Sequence, residues 1–217
     1  MALCLNTGQP PYFFRNPVSW SPIAGSLLSS LGYDGFKAPT RTKSIDGLVD
    51  DRLVVIFHDL QCFSDLLNFA IDTNKKVKDI EFLNFLYSTQ YRLLQLQLAP
   101  SNILGECLRL AMLAILTTAF QTPGTKARYP FLADKYRDCC CALDCANPRV
   151  SDMVIWFLMI GSVSLYDTDE HWLQERWLQA VPQSSWLEAR ENLRRYIWVG
   201  RIHDEIGSRA FDLLSQR

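Results

Sequence analysis

The stretch Met153 to Leu165, "MVIWFLMIGSVSL", carries no charge and is apolar on every side when wound as a helix. A helix of that kind cannot lie on a wet surface. It is shorter than the about 20 residues that span a bilayer, so no membrane contact is expected and other elements must enclose it. Ser151 is placed to cap it. The expectation is an all-α fold, a multi-helix bundle or array built around this segment.

A chain of 217 residues can do this, since a compact fold of that length buries roughly 70% of its unfolded surface. Hydrophobic residues make up 48% and the formal net charge is -1. No global field would draw the chain to nucleic acid or to an anionic membrane. The opening "MALCLNTGQPPYFFRNP" has no basic start and is broken by Pro10 and Pro11, so it does not read as a secretory signal. The expected setting is intracellular, with reduced cysteines.

Residues 1–45 are rich in Pro, Gly and Ser and read as a largely irregular segment, with one short helix near Ala24 to Leu31. Residues 46–217 read as one helical domain. Leu53, Phe57, Leu60, Leu67 and Ile71 line one face of a long helix. Leu83, Leu86, Tyr87, Tyr91, Leu94 and Leu98 line a second, which Pro100 ends. A third runs from Ser101 to about Phe120 with Ile103, Cys107, Leu110, Ala111, Ala114 and Ile115 inward. In "KYRDCCCALDCANPR" the spacing of Leu132, Tyr136, Cys139 and Leu143 makes a fourth helix with Cys139 on its buried face. Ser185 and Glu188 form a capping box for a helix whose inner face is Trp186, Ala189, Leu193 and Ile197, and Gly200 marks its end. A final helix is expected near Asp204 to Ser215.

Chemistry is sparse. Four of the chain's seven cysteines crowd into Cys139 to Cys145, yet only Cys141 and Cys145 share a helix side, which is not the convergent set of about four ligands that zinc needs. They are read as structural, with a thiol-reactive or metal-binding role as the alternatives. His58-Asp59 and His203-Asp204 repeat a dipeptide used by helical metal-dependent phosphohydrolases, without further ligands at helpful spacing. The acids of "YDTDEHW" read as a helix cap and first turn, with Asp167 or Thr168 as cap. No nucleophile elbow or phosphate-binding glycine loop is present. No catalytic residue, metal ligand or cofactor is assigned.

Three blocks nevertheless carry a family likeness. Arg109-Leu110-Ala111 lies in one apolar helix, Trp156 to Gly161 in the next, Trp172 and Trp177 form an aromatic pair, and Leu193 to Trp198 reads "LRRYIW". In order and spacing they resemble the later part of the fungal-specific transcription factor domain, the helical regulatory region of fungal zinc binuclear-cluster regulators. The likeness covers about Asp46 to Arg217. It implies a nuclear, non-catalytic regulatory domain that pairs with itself or with other transcription regulators and senses a small metabolite. Trp156, Trp172 and Trp198 are candidate ligand-lining residues under that reading, with core packing as the plainer role. The family's DNA-binding module has interleaved Lys and Arg and a characteristic cysteine pattern, which this chain lacks, so direct sequence-specific DNA binding is not expected. The alternatives are a diverged interaction scaffold and a small helical enzyme using the two His-Asp pairs.

Overall fold

A computed structural model describes residues 2–7, 18–25, 28, 45–119, 125–126, 129–145, 147–180 and 185–216. All the regular structure among them is helical. In chain order the helices are α1 (Ala2–Thr7), α2 (Asp51–Asp72), α3 (Asp79–Gln95), α4 (Ile103–Thr118), α5 (Pro130–Ala142), α6 (Pro148–Ser164), α7 (His171–Ala180), α8 (Trp186–Leu193) and α9 (Gly200–Ser215). Most of residues 1–45, including most of the short helix expected near 24–31, lies outside the described residues.

The apolar segment is the centre of the fold. Met153, Trp156, Phe157, Leu158, Met159 and Ile160 of α6 are fully buried. α6 packs against α4, α5, α7, α8 and α9. Its two inward hydroxyls are satisfied within the helix, Ser162 donating to the Met159 carbonyl and Ser164 to that of Ile160. Ser151 is not the cap: α6 starts at Pro148, and the Asn147 carbonyl accepts from the N–H groups of Val150 and Ser151. Proline suits that opening turn, where its missing N–H has no partner to lose.

α2 is the longest helix, and by length and composition it could cross a membrane, but half of its most apolar window is buried within the protein. Asp50 caps it, its carboxylate accepting from the Arg52 N–H. Asn102 caps α4 in the same way, accepting from Gly105. The capping box of α8 forms, with Ser185 Oγ accepting from the Glu188 N–H and Glu188 accepting from Ser185.

Three local expectations need correction. α8 stops at Leu193, and Tyr196 to Val199 enter the core outside any helix. Ile197 is inward as expected, but through an irregular stretch that the helical period cannot distinguish from helix. Gly200 then opens α9 instead of ending α8. In α5 the buried cysteine is Cys140, because Leu132, Tyr136 and Cys140 follow one another at steps of four, while Leu143 reaches the core from an extended position past the helix end. Cys139 is half-buried and Cys141 exposed. The acids of "YDTDEHW" also precede α7, whose first turn holds none.

α9 lies against the Trp198 ring at Gly207, where an added Cβ would stand 2.8 and 2.9 Å from Trp198 ring atoms and 3.0 Å from the Trp186 ring. A methyl group there forces two packed indoles apart. Gly207→Ala should therefore lower unfolding free energy by about 1 to 3 kcal/mol, measured by urea denaturation. An unchanged midpoint would show that α9 does not pack this closely.

Candidate functional site

The buried irregular stretch after α8 is held by a polar stripe on α2. Gln61, Ser64 and Asn68 share one face of that helix. Gln61 Nε2 donates to the Arg195 carbonyl (2.8 Å), the Trp198 N–H donates to Ser64 Oγ (3.1 Å), Asn68 Nδ2 donates to the Trp198 carbonyl (3.0 Å), and the Gly200 N–H donates to Asn68 Oδ1 (2.8 Å). From α6, Trp156 Nε1 donates to the Ile197 carbonyl at 3.0 Å. Backbone groups that helix or sheet would have paired are thus paired by side chains, as burial requires.

This places the three candidate tryptophans. Trp156 and Trp198 are core residues, 0% and 1% exposed. Trp198 Nε1 donates to Asp204 Oδ1 at 2.8 Å, and the other Asp204 oxygen accepts from Arg190. Burial pushes the Asp204 carboxyl up, but the bonds from Arg190 and Trp198 outweigh it and hold the group below its usual range. Trp172 is partly buried and meets Tyr166 edge to face. None of the three lines any of the hollows described below.

The two His-Asp dipeptides are taken up by structure. Asp59 and Arg92 form a buried ion pair at 2.9 Å. Asp59 also accepts from the Ile23 and Ala24 N–H groups, and Arg92 donates to the Ser21 carbonyl, so the pair pins residues 21–24 onto α2 and α3. His58 bonds to Gln61 and Asp46. His203 is buried between Val199 and Thr118: its Nδ1 accepts from the Val199 N–H (3.1 Å), so its Nε2 carries the proton and donates to Thr118 Oγ1 (3.0 Å). Thr118 in turn donates to the Ile115 carbonyl. Among the described residues no group of three His, Cys, Asp or Glu side chains lies close enough together to hold a metal ion.

The open space is elsewhere. A groove of about 690 Å³ runs between the segment Leu94 to Pro100, the start of α4 and the outer face of α5. Its walls mix apolar side chains, Leu96, Leu98, Ile103 and Phe131, with polar ones, Gln97, Lys135 and Asp138. Its polar floor is the bidentate pair of Arg109 with Glu106 (2.7 and 2.6 Å), and Arg109 Nη1 also donates to the Leu93 carbonyl. A volume of that order between helices, lined as much by polar as by apolar groups, suits a small polar molecule. A second hollow, about 650 Å³, lies at the end of α9 beside the Lys126–Asp167 ion pair. A third, of about 40 Å³, is almost wholly apolar and borders Ser64, Thr118 and His203. The sequence reading missed the groove, because its walls come from three separate elements. The one available signal was the Glu106 and Arg109 pair on an otherwise apolar helix.

The buried imidazole sets a pH response. Burial lowers the His203 pKa from 6.5 to about 4, so the unfolded chain takes up the proton first. The stabilisation is complete above pH 6.5 and is lost as pH falls from there to about 4, a swing on the order of 3 kcal/mol. Urea midpoints at a series of pH values should show this loss, and His203→Gln should flatten it across that window. The same slope in wild type and variant would contradict the assignment.

No family model matches the chain, and neither a curated protein nor a solved structure matches it.

Proposed function

We propose that the chain is a non-catalytic, transcription-regulatory helical domain that works through contacts with transcription regulators or with a second copy of itself and responds to a small metabolite. The reading rests on one observation: the blocks that resemble the fungal-specific transcription factor domain meet in a single core. Arg109-Leu110-Ala111 lies on α4, which packs against α6. Trp156 of α6 bonds to the Ile197 carbonyl within the "LRRYIW" block.

The groove beside Arg109 offers the metabolite a place between helices, and ligand occupancy there would shift the packing of α4 against α5. Under this reading regulation takes place in the nucleus, through contacts with partners already on DNA. The enzyme alternative is weaker because His203 and Asp59 spend their polar atoms on structural partners.

The test is transcription itself. With the chain tethered to a reporter promoter through an unrelated DNA-binding domain, reporter output should rise or fall several-fold relative to that domain alone. Output equal to the bare DNA-binding domain, with the fusion shown to be folded and nuclear, would overturn the proposal.

A further inference from the structure

The cysteines left unexplained by sequence are brought into a specific arrangement. Cys107 in the second turn of α4 and Cys140 in the last turn of α5 face each other, with sulfurs 3.6 Å apart. Both are buried, at 0% and 2% exposure. A disulfide needs about 2.05 Å between sulfurs, so the thiols are in contact but unbonded. Bonding them needs a further approach of about 1.5 Å between two helices that already pack directly on one another.

We propose that Cys107 and Cys140 are a peroxide-oxidisable pair whose disulfide locks α4 to α5. Access comes from the groove: Glu106 and Cys139 line it, and each is the chain neighbour of one member of the pair. Local opening of the last turn of α5, beside the groove, would admit a water-sized oxidant to the pair. Cys140 is the first sulfur met, since its helix ends two residues later at Ala142, whereas burial holds the Cys107 thiol protonated.

The chemistry balances with hydrogen peroxide as oxidant. Cys140 sulfur attacks one peroxide oxygen, the O–O bond breaks, and the thiol proton leaves with the departing oxygen as water, giving a sulfenic acid. Cys107 sulfur then attacks Cys140 sulfur, the S–O bond breaks, and hydroxide leaves with the Cys107 proton as a second water. Two thiols are oxidised and one peroxide is reduced to two waters. The new bond ties together two walls of the groove, so oxidation state would fix its width.

The experiment treats the reduced full chain with hydrogen peroxide, then counts thiols and maps peptides by mass spectrometry. The expected product titrates two fewer thiols than the seven of the reduced chain, carries one cross-link between the Cys107 and Cys140 peptides, melts at a higher temperature and reverts on reduction. The variant Cys139→Ser, Cys141→Ser, Cys145→Ser, which keeps the pair and alters only exposed or half-buried positions, should give the same cross-link. Seven unreacted thiols, oxidation confined to Cys139, Cys141 or Cys145, or a Cys140 that stops at sulfinic acid would each overturn the proposal.

Discussion

Burying a backbone that is not helical is the constraint on which this structure turns. Tyr196 to Val199 lie in the core without a ladder of their own, and each unpaired buried amide or carbonyl would cost about 1 to 3 kcal/mol. Three α2 side chains, one α6 indole and the His203 ring supply the partners. The consequences spread from there. Trp198 is fixed so that its indole reaches Asp204 and its ring meets Gly207, and Gly200 is fixed as the first residue of α9. The direction of the last helix is thus set by a polar stripe on a helix more than a hundred residues earlier in the chain.

The other buried polar pair works on the opposite side of α2. Asp59 and Arg92 cost desolvation energy, which their mutual attraction offsets only because both also bond backbone groups of residues 21–24. Removing either partner would strand a charge in the core. α2 therefore joins two irregular stretches, one before it and one near the end of the chain, to the helical core.

Much of the fold was legible in the sequence because apolar periodicity reports burial directly. The all-apolar run around Trp156 reads as the central helix and is one; α2 and α4 bury most of their periodic faces, with Ile71 and Ile103 exposed at the helix ends; the Ser185–Glu188 capping box forms as written. What was not legible has a common cause. Ile197 and Leu143 are buried at helical spacings from Leu193 and Cys139, and nothing local says that the one helix has stopped at Leu193 or that Leu143 continues inward in extended form, which leaves Cys140 and not Cys139 on the buried face. The polar residues misled more. Gln61, Ser64, Asn68 and His203 look like ordinary solvent-facing or catalytic types until the segment they bond to is in view. The groove was invisible for the same reason, since it is made of walls that share no sequence neighbourhood.

The account depends most on the claim that α2 side chains hold the stretch after α8 in the core. Amide hydrogen exchange of Trp198 and Gly200, whose N–H groups donate to Ser64 and Asn68, tests it most directly. Exchange as slow as that of the α6 amides, requiring global unfolding, is the expected result. Exchange at the rate of an exposed loop, with α6 still protected, would contradict it.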